Sequence, residues 1–252
     1  MTDTTFTMRM TTVARRLLSL TDLTSLNDSD DEQSTQKLLR LASTDAGNVA
    51  AVCIWPRLIP AALPTLQGSG IALAVVSNFP AGVADARSAA KETAAAVAAG
   101  ANEVDVVFPY RALLSGDEKS GATLVRACRD ACGKHALLKV ILETGQLASE
   151  RNIRRAAEIA ADGGAHFLKT STGKTQPGAT TDAVSVLLDV IGLYEKRGSR
   201  LGLKVSGGVR TIEQARTYLD LYEDRFGVGA ATAASFRIGA SSLVNDILTV
   251  LR

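Results

Sequence analysis

Short runs of apolar, often β-branched residues alternate with longer stretches whose apolar positions recur every three or four residues, and the alternation runs almost the length of the chain. The short runs predict strands over 20–24, 49–55, 71–77, 103–108, 137–143, 165–170, 201–205 and 235–238. The stretches between them are amphipathic or alanine-rich and carry helix signals. Ser29-x-x-Glu32 and Thr211-x-x-Gln214 have the spacing of capping boxes, in which each side chain takes an orphan backbone N–H. Gly100 follows the alanine-rich run 84–99, where a helix can stop without strain. Strands that read as unbroken apolar runs, each followed by a helix, need cover on both faces, which is the pattern of a parallel sheet. Eight such units in 252 residues predict an α/β fold, a (β/α)8 TIM barrel in which a closed parallel sheet sits inside an outer helix ring, with 1–252 as one domain.

An open, doubly wound sheet competes with that reading, but its nucleotide fingerprint is missing. Gly227-Val-Gly229 has Thr232 where the third glycine should fall, and Gly173-Lys174-Thr175 has Leu168 where the glycine five residues upstream should stand. The threonine-rich residues 1–12 hold no apolar core of a secretory signal, and a flexible tail is expected there. No uncharged apolar run nears the roughly 18 residues of a membrane span, so no membrane partner is expected.

Composition narrows the function. Apolar residues make up 46%, and 28 Lys and Arg nearly balance 26 Asp and Glu. That balance provides no field for a polyphosphate backbone, and nucleic acid is not an expected partner. Cys53, Cys128 and Cys132 contain no Cys-x-x-Cys pair, so reduced thiols and a cytoplasmic location are expected. His135 and His166 are far in sequence from any second ligand, and no metal site is expected.

Four charged residues interrupt the apolar runs: Asp105, Lys139, Lys169 and Lys204, on the fourth to seventh predicted strands. Lysine is rarely buried unless paired, and three on adjacent strands around one aspartate repel unless some release their protons. A neutral lysine amine at pH 7 can attack a carbonyl carbon and form a Schiff base. The alternative is a structural ion-pair network, or lysines whose heads reach the rim. Glycine-rich turns follow the last three strands: Ser171-Thr172-Gly173-Lys174, Ser206-Gly207-Gly208 and Gly239-Ala240-Ser241-Ser242. Such turns bring backbone N–H groups and helix N-termini to one anion, and the loops after strands seven and eight are the usual phosphate site of a barrel. Short strand-to-helix turns also need glycine for purely conformational reasons. Together the two features describe a phosphorylated carbonyl substrate handled by an amine.

The motifs Leu-Thr-Asp22-Leu-Thr24, Val-Cys53-Ile-Trp-Pro-Arg57, Asn-Glu-Val-Asp105-Val-Val-Phe-Pro, Leu-Lys139-Val-Ile-Leu-Glu143-Thr, Phe-Leu-Lys169-Thr-Ser-Thr172-Gly173-Lys174, Lys204-Val-Ser-Gly207-Gly208-Val-Arg210 and Phe-Arg-Ile-Gly239-Ala-Ser241-Ser242 resemble the 2-deoxyribose-5-phosphate aldolase family, from about residue 17 to 251. The resemblance implies a class I, cofactor-free carbon–carbon lyase of deoxyribonucleotide breakdown. Such an enzyme reversibly cleaves 2-deoxy-D-ribose 5-phosphate to D-glyceraldehyde 3-phosphate and acetaldehyde. It further implies Lys169 as the Schiff-base lysine, Lys204 as the lysine that lowers its pKa, and Asp105 as the acid/base carboxylate, with Lys139 completing the cluster. Asp22, Thr24 and Cys53 align with pocket residues. Thr172, Gly173, Lys174, Gly207, Gly208, Gly239, Ser241 and Ser242 align with a phosphate cradle.

Family members are commonly homodimers. Well-studied members also continue into a tyrosine-ended tail that assists proton transfer, whereas this sequence stops at Leu251-Arg252; slower turnover, or another hydroxyl in place of the phenol, is the expectation that follows. His166 lies three residues before Lys169, so strand alternation turns it to the opposite face, against a helix. Another Schiff-base aldolase or transaldolase, or a catalytically silent sugar-phosphate binder, is the alternative function.

Overall fold

The computed structural model describes residues 3–251, with residues 3–9 described by backbone alone. Eight parallel strands close into a barrel: β1 Thr21–Thr24, β2 Ala51–Ile54, β3 Ala72–Ser77, β4 Glu103–Val107, β5 Leu137–Ile141, β6 Phe167–Lys169, β7 Gly202–Ser206 and β8 Phe236–Ala240. Each pairs with the next, and β8 pairs with β1. The (β/α)8 expectation holds, and each predicted strand contains or overlaps an observed one.

Although both faces of the sheet are buried, the strands still alternate. On β2 and β3, Val52, Ile54, Leu73 and Val75 point outward into the large core under the helices, while Ala51, Cys53, Ala74 and Val76 form a separate small cluster inside the barrel. Outward Leu, Ile and Val side chains give the sheet its cover, each stabilising by roughly 1.5–3 kcal/mol when fully buried. Helices start at side-chain caps such as Asp85, Asp117, Ser149, Thr180 and Thr211. The Thr211–Gln214 capping box is present, and Gly100, at φ 108°, follows the helix Ala86–Ala98 as expected.

One local expectation is corrected, and two local features were not read from the sequence. The first helix runs Asp3–Ser19, so residues 3–12 of the expected tail are helical. From Met10 onward, Met10, Val13, Ala14, Leu17 and Leu18 repeat at helical spacing and pack on the core. The cap of the next helix, Glu32–Ala42, is Asp31 with Ser34 in place of Ser29 with Glu32: Asp31 accepts from Ser34 N at 2.8 Å, and Asp31 N donates to Ser34 Oγ at 2.8 Å. A two-stranded antiparallel hairpin, Ser43–Thr44 with Gly47–Asn48, has no counterpart in the sequence reading.

In a sheet, laterally paired residues share a face. The register pairs Asp105 with Lys139, Lys169 with Lys204, and Lys204 with Arg237, so all five point to the same side, which the contacts among them identify as the barrel interior. Phe167 closes the floor beneath them, with the Arg237 guanidinium 5.7 Å from its ring centre. Gly202 has no room for a side chain, because an added Cβ would stand 2.5 Å from the Phe167 ring. Gly202→Ala is expected to destabilise by about 1–3 kcal/mol through overpacking. Thermal unfolding checks it: an unchanged Tm would show that the ring can yield.

Candidate active site

Asp105 lies at the centre of a buried ring of charge. Its Oδ1 accepts from Lys139 Nζ at 2.9 Å, and its Oδ2 from Lys169 Nζ at 2.7 Å and Lys204 Nζ at 2.8 Å. Asp22 on β1 faces the same centre, 2.6 Å from Lys204 Nζ and 3.3 Å from Lys139 Nζ. Deeper in the barrel, Glu103 pairs with Lys139 and lies 2.9 Å from Arg237, which also reaches Asp22 at 2.6 Å. All seven groups are buried, the least so being Arg237 at 5% exposure.

Four bases therefore meet three acids. With every group ionised, the set carries one uncompensated positive charge in a dry interior, an expensive state that the loss of one proton removes. Arg237 keeps its proton, since a guanidinium does not release it in proteins. Of the lysines, Lys139 touches three carboxylates, Lys204 two and Lys169 only Asp105. Burial, reinforced by Lys204, lowers the Lys169 pKa against the pull of Asp105. On Lys139 burial acts the same way, but Asp105, Asp22 and Glu103 outweigh it and raise the pKa. Asp105 and Asp22 do likewise for Lys204. Asp105 is itself penalised by burial, yet its three lysines hold it well below the usual carboxylate range.

Above Lys169 the ends of β1, β6, β7 and β8 open on a cavity of about 310 Å³. Of the residues read from the sequence, Thr24, Lys169, Thr172, Gly173, Lys174, Gly207, Gly208, Gly239 and Ser241 line it. Lys139, Lys204, Asp105 and Asp22 lie beneath that lining. Ser242 stands outside it, just before the helix Leu243–Leu251. Cys53 is buried with Leu26, Ala51, Ala74 and Val76, and burial pushes its thiol up, as befits a small apolar filler. His166 is half-buried, its Nδ1 accepts from Leu138 N at 2.9 Å, and burial followed by Arg129 lowers its pKa; it takes no part in the ring of charge.

The turns around the cavity are held from below. Glu143, at φ 59°, ends the extended run after β5 and turns its buried carboxylate to Thr172, accepting from its N–H at 3.1 Å and its hydroxyl at 2.5 Å. Thr170 Oγ1 accepts from Ser206 N at 3.0 Å and donates to Ser206 O at 3.0 Å, which clamps the β6 and β7 loops together. Gly173, Gly207 and Gly208 have φ of 79°, 93° and 94°, values that leave their N–H groups in turns a side chain would strain. Gly239 serves a different purpose, since a Cβ there would stand 2.9 Å from Lys204 Cε. Its absence makes room for the lysine stem. Lys174 Nζ donates to Leu26 O at 2.7 Å and ties the β6 loop to the β1 loop.

The sequence reading did not single out Glu103 and Arg237 in the ring, or Arg210 in the cavity lining. The test that found the lysines, a charge inside an apolar strand, applies equally to Arg237 in Phe-Arg-Ile and to Glu103, two residues before Asp105.

Fold and site together define a closed barrel with a buried cluster of charge beneath a cavity at its C-terminal mouth. The family model for DeoC/LacD family aldolases matches residues 16–246. The chain belongs to that family of aldolases. Among solved structures, a protein from Coccidioides immitis assigned as a deoxyribose-phosphate aldolase is 30% identical with a TM-score of 0.79, over 92% of this chain and 86% of that one. The deoxyribose phosphate aldolase of Aeropyrum pernix, described as a tetramer, is 25% identical with a TM-score of 0.73, over 96% and 95%. A Toxoplasma gondii protein assigned to the same activity superposes with a TM-score of 0.87 over 97% and 94%; at 22% identity that likeness speaks for the fold alone.

Proposed function

We propose that the protein is a class I deoxyribose-phosphate aldolase, cleaving 2-deoxy-D-ribose 5-phosphate to D-glyceraldehyde 3-phosphate and acetaldehyde through a Schiff base on Lys169. The observation that carries the reading is the position of Lys169: it is the one lysine of the buried ring that also lines the cavity, and the one whose pKa is lowered.

The neutral amine adds to the aldehyde carbon of the open-chain sugar, and loss of water gives the protonated imine. The proton of the 3-hydroxyl then leaves, the bond between C2 and C3 breaks, and its electron pair moves into the imine to form an enamine while glyceraldehyde 3-phosphate departs. A proton returns to C2, and water releases acetaldehyde and the free amine. Asp105, kept ionised by its lysines, is suited to receive protons through a water, and Lys204, kept charged, to supply them. The N–H groups of the Gly173, Gly207 and Gly208 turns, with Lys174, Arg210 and the start of the helix at Leu243, fit a phosphate at the opposite side of the cavity. Lys139 and Asp22 fix the charge of these groups from beneath.

Reduction with borohydride in the presence of acetaldehyde, followed by peptide mapping, tests the assignment. An ethyl group is expected on Lys169. Label on another lysine, or none, would refute it. Comparing cleavage of 2-deoxyribose 5-phosphate with that of ketose phosphates separates this activity from a transaldolase on the same barrel.

A further inference from the structure

The ring of charge has a floor that the proposed chemistry does not use. Arg237 and Glu103 lie below Lys139 and Lys204, are not among the residues that line the cavity, and are bound to each other at 2.9 Å. Arg237 is also anchored by the carbonyl of Ala233 and by the face of Phe167. From this pair two chains of contact climb to Asp105. One runs from Arg237 to Asp22, from Asp22 to Lys204 and on to Asp105; the other runs from Glu103 to Lys139 and on to Asp105. Both end on the carboxylate that is the sole acidic partner of Lys169.

We infer that the Arg237–Glu103 pair is a positioning device for charge: by adding a permanent cation to the ring and anchoring Lys139, it determines that Lys169 is the lysine left without a proton. The inference rests on Lys169 being the imine-forming amine and concerns what makes it one.

The charged groups around Lys169 are Asp22 on β1, Glu103 and Asp105 on β4, Lys139 on β5, Lys204 on β7 and Arg237 on β8. β2 contributes only the Cys53 thiol, and β3 shows Ala74 and Val76. Replacing Arg237 with a neutral residue leaves three lysines for three carboxylates, a balance that lets every lysine keep its proton. Replacing Glu103 with a neutral isostere leaves four bases for two acids, and the excess falls on the least paired amine. The two substitutions therefore push Lys169 in opposite directions, a result that a purely structural role does not produce.

The test follows the rate of acetaldehyde trapping on Lys169 by cyanoborohydride against pH, normalised to free lysine under the same conditions. Arg237→Met is expected to move the midpoint of the rising limb up by about one pH unit, and Glu103→Gln to move it down by a similar amount. The double variant, with three bases and two acids, is expected to fall between them. If Arg237→Met does not fold, Glu103→Gln carries the test alone, since the amide keeps the volume of the acid. Midpoints that stay at the wild-type value in folded variants would overturn the inference. Absence of trapping on Lys169 in the wild-type protein would instead overturn the functional reading beneath it.

Discussion

Lys169→Leu is expected to lower cleavage of 2-deoxyribose 5-phosphate by on the order of 10⁴-fold or more, with no loss of thermal stability. The first part follows from the role proposed for the nitrogen: without it no imine forms and nothing accepts the electrons of the breaking bond, so the remaining groups cannot act in its place. The second follows from the charge balance around it. Lys169 is the surplus base of the ring, and after its removal Lys139, Lys204 and Arg237 still match Asp22, Glu103 and Asp105. Asp105 keeps both of its ammonium partners, Lys139 and Lys204. Replacing a buried polar group with an apolar side chain of similar size is often neutral or stabilising when no partner is stranded. Steady-state kinetics and a melting curve on the same sample check both parts. A near wild-type rate excludes the covalent role, and a large fall in Tm contradicts the charge balance.

Asp105→Asn is expected to do the reverse to stability. The carboxylate bridges three lysines, and removing one member of a buried ionic set strands the others at a cost of about 3–5 kcal/mol. Activity is also expected to fall, by about 10²–10⁴-fold, through loss of the group proposed to transfer protons. The effect on stability has a pH signature. The pKa of Asp105 is lowered in the folded state, so its contribution is fully present above the unfolded value near 3.9 and is lost as pH falls toward the lower folded value. Asp22 behaves in the same way, with Lys139, Lys204 and Arg237 outweighing its burial. The wild-type Tm should therefore drop steeply below about pH 4, and Asp105→Asn, less stable at neutrality, should show a shallower acid slope. Parallel slopes would mean that the carboxylate is not held ionised in the fold.

The barrel and its buried charges were legible in the sequence because the same alternation that builds a strand also exposes a misplaced charge. A lysine amid Leu, Val and Ile in a run such as 137–143 cannot face a helix-covered layer, so it must turn inward. What stayed hidden depended on depth and on choices among equivalent neighbours. Glu103 and Arg237 obey the same rule as the lysines, but that they meet each other across the barrel is a consequence of strand register, which pairs Arg237 with Lys204 and which no single run encodes. The helix cap at Asp31 shows the second kind of difficulty. Ser29, Asp30 and Asp31 are all good caps; Asp30 is claimed by Ser25 and Asn27, so the loop folds on it and leaves Asp31 for the helix. Glu143 reads as the end of a strand, and only its left-handed backbone turns the carboxylate under Thr172.

The tie between Lys174 and the carbonyl of Leu26 also shapes how the mouth presents itself to solution. Among the described residues no carboxylate pairs with Lys174 or with Arg210, so two cations border the cavity unneutralised while the charges beneath them nearly cancel. The entrance thus projects a local positive potential from a chain whose overall charge is almost nil. Within a screening distance of about 8 Å at physiological ionic strength, such a potential draws anions toward the glycine turns.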